Sequence, residues 1–339
     1  MAVIHGLFGI IVLTGIAFLF SSNKKKINWI TVGGAIGLQM VLAFLILKVP
    51  FIQGMFDGLA KGFVKLIGFT QFGTDFLFGS FLDQGKVDPS LVNFAFNVLP
   101  TIIFFSALTA LLYYLRILQL VVFAFAWVMK VTLRLSGAES LAAAGNVFLG
   151  QTESPLLVKP YLNKMTKSEM ACLMTGGMAT IAGGVLASYI TFLSGGDPAQ
   201  ELFIAKHLLA ASIMSAPAAV AAAKLLVPET EDFDGQMKLT KDRGGSNVLE
   251  ALAIGTSDGL KLAVNVGAML LVFTALMYFG NFLLGDVVGH YTGLNEIIQE
   301  NTSYDKLSFQ MLLGYIGAPV AMAIGVCQED ALLVGQLLG

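Results

Sequence analysis

Six stretches of the chain are apolar over a length that can cross a bilayer: residues 3–20, 29–47, 94–112, 168–193, 202–226 and 259–284. A membrane helix needs roughly 20 mostly apolar residues, so these stretches predict six spans. Two other segments have a mixed texture. Residues 51–69 interleave Phe, Leu, Ile and Val with Gln53, Asp57, Lys61 and Lys65. The last three recur every four residues and share one helix face, which predicts a helix lying in the membrane interface. Residues 117–135 look similar, with Arg116, Lys130 and Arg134 at the ends. An interfacial helix is expected there, with a true span as the alternative. Residues 247–258 are expected to run along the surface before the sixth span turns inward.

Between the third and fourth spans lies a polar island, G-N-V-F-L-G-Q-T-E-S-P-L-L-V, residues 145–158. Its flanks are too apolar for an ordinary exposed loop. A straight span through it would leave Gln151, Thr152 and Glu153 facing lipid, and an intramembrane acid costs roughly 2.5–3.5 kcal/mol on insertion scales. A re-entrant hairpin removes the conflict: two half-helices meet at a tip, and the tip lines a polar cavity. Pro155 suits the first turn of the second half-helix, whose N-terminal N–H groups would then face the cavity. A partial copy, V-C-Q-E-D-A-L-L-V, returns at residues 326–334. With Glu153 set against Glu329, the triplet Leu156-Leu157-Val158 falls on Leu332-Leu333-Val334. Residues 308–339 therefore read as a second hairpin, with a half-helix starting at Ala331 and Asp330 as its N-cap. Duplicated broken segments of this kind point to a transport site.

Composition agrees with the pattern. Of 339 residues, 56% are hydrophobic and 12% charged, against about 25% charged in soluble domains. A net charge of −2 gives no sign of nucleic acid as a partner. Cys172 and Cys327 both lie in apolar surroundings and read as free thiols. His5, His207 and His290 are scattered, which disfavours a metal triad. Asp258 and Lys261 are three apart and can pair on one helix face. No nucleotide-binding or hydrolase signature occurs. A membrane hydrolase using Ser154 or Thr152 beside Glu153 has no nearby His or Lys base, and duplicated closed hairpins disfavour a passive channel.

Orientation follows from Lys and Arg in short loops. Lys24, Lys25 and Lys26, then Arg116, Lys130 and Arg134, then Lys159, Lys164 and Lys167, and finally Lys238, Lys241 and Arg243 fall on one face if residues 139–163 enter and return. The opposite loops, 194–201 and 285–307, are poor in basic residues. The N-terminus is expected outside, and the two hairpins then enter from opposite sides as an inverted repeat. In the fourth span, T-G-G-M-A-T-I-A-G-G-V (175–185) is dense in small residues. It reads either as a close helix contact or as an unwound stretch whose carbonyls face a cation, with Thr180 and Asn146 adding side-chain oxygens.

The island and its continuation through Lys159-Pro160-Tyr161-Leu162 closely resemble the first re-entrant hairpin of the concentrative nucleoside transporters. So do M-T-G-G-M-A-T-I-A-G (174–183), S-A-P-A-A (215–219) and N-V-G-A-M-L (265–270), and G-Y-I-G-A-P-V-A with the later Q-E-D resembles the second hairpin. The match runs along nearly the whole chain and fits a prokaryotic member in the inner membrane. The resemblance implies an all-α, polytopic membrane protein with two re-entrant hairpins, a scaffold and a transport domain. Residues 1–112 would hold the N-terminal spans, the interfacial helix and scaffold span three. Residues 113–226 would hold the first hairpin with spans four and five. Residues 227–307 would hold a cytoplasmic loop and the scaffold's sixth span, and 308–339 the second hairpin. It implies a homotrimer that imports nucleosides such as uridine by an elevator-type movement. Sodium would be the coupling ion and no other cofactor is needed; proton coupling is the alternative. Gln151, Thr152, Glu153, Val185 and Glu329 would bind the nucleoside. Asn146 and Thr180 side chains with Leu149 and Ile181 carbonyls would bind sodium; Thr180 stands where some relatives carry Ser. The family's Asn-Glu-Phe helix does not occur by Gly339, so a truncated chain is expected.

Overall fold

Regular structure in the computed structural model is helical throughout the described residues, which are 2–82, 98–151, 154–159, 161–195, 197–231, 235, 237, 244–302 and 304–338. Among them, four helical stretches are long and apolar enough to cross a membrane: Trp29–Lys48, Lys167–Ser194, Pro198–Leu226 and Val248–Gly289. The chain divides into two compact units, Met1–Leu19 with Val266–Gly339, and Phe20–Asn265.

In the larger unit, helix α2 (Trp29–Lys48) begins at Asn28, whose side chain accepts from the Ile30 and Thr31 amides, a cap that satisfies two of the orphan donors of a helix start. Helix α3 runs from Pro50 to Leu82, well past the end expected at residue 69. Its inner side buries Phe56, Ala60, Ile67, Thr70 and Thr74, while Lys61 and Lys65 stay exposed. Helix α4 (Leu99–Tyr114) and α5 (Ile117–Leu133) meet at a 78° bend. Arg116, in the left-handed region at φ 63°, makes that bend, and Arg134 at φ 54° ends α5. The first residues of the expected third span, 94–97, lie outside the described residues.

Helix α10 (Pro198–Leu226) is the centre of this unit and touches α2, α3 and three stretches treated below, α6 (Gly137–Leu149), α8 (Lys167–Ala179) and α9 (Gly183–Ser194), while α7 (Ser154–Leu157) packs on α6. Its buried positions are mainly small, including Ala205, Ala210, Ser212, Ala216, Ala219 and Ala223. Small residues let membrane helices approach closely, where dispersion and short polar contacts drive association. Asp57 of α3 pairs with Lys206 of α10 at 2.7 Å. One apolar cluster joins α5, α6, α7 and α8 through Val122, Ala126, Leu141, Leu157 and Leu173. Another joins α3, α4, α9 and α10, with the Phe63 and Phe105 rings 4.9 Å apart.

Helix α11 is continuous from Val248 to Asn281 and passes into a π-helical segment, Phe282–Gly289. The expected turn between a surface helix at 247–258 and the sixth span is therefore absent. The polar positions there, Glu250, Thr256, Ser257 and Asp258, carry no helix-breaking proline, and Thr256 donates to the Leu252 carbonyl at 2.8 Å, within the helix.

The smaller unit contains α1 (Ala2–Leu19), the later part of α11, α12 (Leu294–Asn301), α13 (Phe309–Ala323) and α14 (Ala331–Leu338). The last two form the second hairpin and pack on each other along their length. A Cβ on Gly335 would lie 2.7 Å from the Ala318 nitrogen, and one on Gly317 would lie 2.7 Å from the Gly335 Cα. At the base, Asn281 accepts from the Phe309 amide at 2.9 Å and donates to Gln310 at 2.9 Å.

Candidate functional site

The first hairpin is built on α6. Its start is fixed by a capping box in which Ser136 accepts from the Glu139 amide and the Glu139 carboxylate accepts from the Ser136 amide. Ser154 closes the returning arm by donating to the Ala142 carbonyl at 3.2 Å. Leu157 packs where a side chain on Gly145 would go, 2.6 Å from its Cβ position. The arm after the tip is shorter than expected: α7 is a single turn, followed by a 3-10 turn at Leu162–Lys164. A one-turn helix contributes little dipole, so backbone and side-chain groups must supply the polarity of the tip.

Two helix C-termini meet below that tip. α6 ends at Leu149, and α8 ends at Ala179 before an unwound stretch, Thr180-Ile181-Ala182, from which α9 restarts at Gly183. Of the two readings of the Gly-rich fourth span, local unwinding is observed. Gly150 has φ +77°, and the Ala182 Cα lies 3.3 Å from where its Cβ would be; only glycine meets both demands without strain. Asn146, fully buried in the last turn of α6, donates its amide to the Leu173 carbonyl at 3.1 Å. Thr180 donates to the carbonyls of Asn146 and Gly176, both at 2.8 Å. Gly176 makes room for the Asn146 amide, since a Cβ there would sit 2.6 Å from Nδ2.

One atom in this cluster is left over. The Asn146 Oδ1 is buried without a hydrogen-bond partner. Leaving a buried acceptor unpaired costs about 1–3 kcal/mol, and a cation would remove the penalty. The surroundings suit a small hard cation: oxygen donors only, and the negative ends of two helices. The residues present fit sodium.

The other expected residues are placed as follows. Leu149 is buried at the end of α6, and Ile181 is half-buried in the break. Gln151 is exposed in the turn, its backbone close against Gly177. Val185 is half-buried in the first turn of α9. Thr152 and Glu153 lie outside the described residues. Glu329 belongs to the smaller unit, exposed in the turn before α14. Beside it, Asp330 accepts from the Cys327 thiol at 3.1 Å. Cys172 and Cys327 are free thiols, and no metal-holding cluster of His, Cys, Asp and Glu occurs among the described residues.

Two features escaped sequence reasoning. Ser212 of α10 donates to the Val147 carbonyl at 3.3 Å and accepts from the Ile181 amide at 3.4 Å, tying α6 to the break. At the root of the hairpin, Lys224 pairs with Glu139, donates to Ser168 at 2.9 Å and lies 3.6 Å from Glu229. A serine within an alanine-rich span and a lysine at a span end carry no local signal of either role.

The chain matches three family models: the Na+ dependent nucleoside transporter N-terminus over residues 8–81, nucleoside recognition over 95–195, and the Na+ dependent nucleoside transporter C-terminus over 207–339. It is 40% identical to an uncharacterized transporter of Haemophilus influenzae over 341 aligned positions, covering 100% of this chain and 76% of that protein. It is 39% identical to solute carrier family 28 member 3 of Mus musculus (98% of this chain, 44% of the relative). It is 38% identical to sodium/nucleoside cotransporter 1 of Rattus norvegicus (98% and 47%). The chain thus spans about three quarters of the bacterial relative and under half of the mammalian ones. Among solved structures it resembles CNTnw in an inward-facing substrate-bound state, with a TM-score of 0.87 and 39% identity, covering 100% of this chain and 76% of that one. A CNTnw variant in an outward-facing state gives a TM-score of 0.84 at 38% identity, with the same coverage. With family models along most of its length and relatives matched from end to end, the chain belongs to the concentrative nucleoside transporter family, a family of transporters and not of enzymes.

Proposed function

We propose that this protein imports nucleosides across a bacterial inner membrane by symport with sodium. The observation that carries the reading is the unpaired, buried Asn146 Oδ1 where α6 and α8 end, directly below the tip that bears Gln151. Asn146, Thr180 and the carbonyls of Leu149 and Ile181 would hold sodium. Gln151, Thr152 and Glu153 would bind the base, with Val185 packed on it, and Glu329 would accept from the ribose hydroxyls. A shared tip lets ion and solute each raise the other's affinity, as linkage requires of coupled binding.

The movement proposed is of the elevator type. Residues 113–226 and 308–339 would travel as the transport domain, and residues 1–112 and 227–307, with α4 and α11, would form the scaffold of a homotrimer. The distribution of Lys and Arg supports an outside N-terminus. Uptake of labelled uridine and adenosine into proteoliposomes tests the reading. A sodium gradient is expected to drive accumulation above equilibrium. Accumulation unchanged when choline replaces sodium would assign the coupling to protons, and no uptake of either nucleoside would sink the reading.

A further inference from the structure

A cavity of about 320 Å³ lies among α2, α5, α6 and α10. Its floor is made by buried residues, Met129, Val147, Ala216 and Pro217. Leu38 and Leu42 of α2 form one wall. Ala124 and Val128 of α5 border it and are exposed, so the cavity opens along that side of α5. All of the lining side chains are apolar. Val121, Trp127 and Val131 of α5 are exposed as well, which makes the surroundings of the mouth suited to lipid.

One end of the α2–α5 seam is basic. A Cβ on Gly34 would lie 3.6 Å from the Leu133 Cδ2 and 3.9 Å from the Thr132 carbonyl oxygen. The end of α5 thus meets the first turns of α2, and there Arg134 lines a small space with Asn28 and Thr31. Lys25 and Lys26 stand just ahead of α2 and are exposed. Among the described residues no ion pair engages Arg134, Lys25 or Lys26. The two carboxylates that border the same small space are already engaged. Glu139 pairs with Lys224 and accepts from the Ser136 amide, and Glu229 accepts from the Thr166 hydroxyl at 2.7 Å.

Size and chemistry together select an occupant. Water needs two to four polar partners to stay in a cavity, and the lining side chains offer none. A sphere of this volume is about 8.5 Å across, too narrow for a partner helix of about 10–12 Å. A hydrocarbon chain needs length more than width. Leu38 lies nine residues beyond Trp29, about 14 Å along α2, and one leaflet's tails reach about 15 Å. A phospholipid with its phosphate at the basic end therefore brings the end of its tail into the cavity. We infer that this groove holds an acyl chain of an anionic phospholipid, with the head at Arg134, Lys25 and Lys26, and that the filled cavity steadies the proposed sodium site. The second half rests on the symport reading. Val147 belongs to the floor, and its carbonyl accepts from Ser212, which also accepts from the Ile181 amide. An empty cavity leaves such a floor without packing partners on one side.

The full chain, stripped of lipid in detergent, is offered phosphatidylglycerol or phosphatidylcholine with the same tails, and retained lipid is counted by native mass spectrometry. The expected result is one phosphatidylglycerol per chain, held at least about tenfold more tightly than phosphatidylcholine. Arg134→Asn, a residue that tolerates the left-handed backbone, should cut that preference about fivefold, the worth of one basic residue at an anionic surface. Ala124→Phe, at the exposed mouth, should lose the bound lipid altogether. In phosphatidylcholine vesicles, adding phosphatidylglycerol should lower the half-saturating sodium concentration for uridine uptake about threefold (roughly 0.65 kcal/mol) in the unaltered protein and leave Ala124→Phe unchanged. Equal retention of the two lipids, retention unaltered in both variants, or displacement by oleate at equal concentration would overturn the lipid site. A sodium dependence indifferent to phosphatidylglycerol would overturn its link to the ion site. A protein that moves no nucleoside in any vesicle would remove the symport reading, and the mass measurement would still decide the lipid site.

Discussion

Lys224, near the end of α10, forms a buried ion pair with Glu139 in the first turn of α6, and the two side chains are 7% and 1% exposed. The pair joins the root of the first hairpin to the helix at the centre of its unit. Ser168, at the start of α8, accepts from the same ammonium at 2.9 Å. Helices α6 and α8, which end at the Asn146–Thr180 cluster, and α10, which passes it at Ser212, are thus fastened together away from that cluster. Removing one partner of a buried pair leaves an uncompensated charge and typically costs about 3–5 kcal/mol, whereas replacing both by apolar groups is often neutral. Lys224→Met is therefore expected to destabilise the protein strongly, and Lys224→Met combined with Glu139→Leu much less. Thermal unfolding in detergent checks this; losses that simply add would show that the pair is not coupled.

The proposed sodium site makes a sharper prediction. Asn146→Ala removes the orphan oxygen and its amide bond to Leu173, and should raise the sodium concentration for half-maximal uptake at least about tenfold, the loss of a hydrogen-bond-sized interaction with a charge. Ser212→Ala cuts one strut between α6 and the break, and a shift of about threefold is expected from its two long bonds. Sodium-activation curves separate the two variants, and equal curves for all three proteins would place the ion elsewhere.

Glycine positions offer a contrast free of polar chemistry. Gly176→Ala pushes a Cβ into the Asn146 amide, and Gly150→Ala adds left-handed strain of about 1–2 kcal/mol to a clash with Ala182. Both variants should reach the membrane and lose most uptake. Gly33→Ala, in α2 with nothing within 4 Å of its Cβ position, should be as active as the unaltered protein and stabilised by up to about 1 kcal/mol.

The proposed substrate residues divide by role. Glu153→Gln and Glu329→Gln keep shape but replace an acceptor-only carboxylate by an amide. Each is expected to abolish most concentrative uptake. Full uptake by both would show that the two repeated carboxylates do not form the site.

Much of this architecture was readable from the sequence because lipid imposes simple rules. Four of the six apolar runs became helices long and apolar enough to cross a membrane, and polar residues in an apolar stretch demanded a hairpin with Gly150 at its turn. Likewise the second half-helix at Ala331 starts where the repeated triplet places it. What was not readable depended on distance or continuity. The Lys224–Glu139 and Ser212 contacts join residues far apart in sequence. Polar positions at 247–258 suggested a separate element, but with no proline or left-handed residue among them the helix continues through. The returning arm of the first hairpin is shorter than its apolar composition suggested, because α7 stops after one turn. Thr152 and Glu153, proposed to bind the base, lie outside the described residues.

In the second hairpin the backbones of α13 and α14 touch at Gly317 and Gly335, with the Gly314 carbonyl also against Gly335. No side chain stands between the arms there that a change of rotamer could clear, and prying them apart would forfeit dispersion contacts along the whole seam. The hairpin is thus a solid wedge rather than a pair of tweezers. In the elevator movement proposed above, access past it would come from displacing the wedge as one body, with a hinge in the segment that leads into α13.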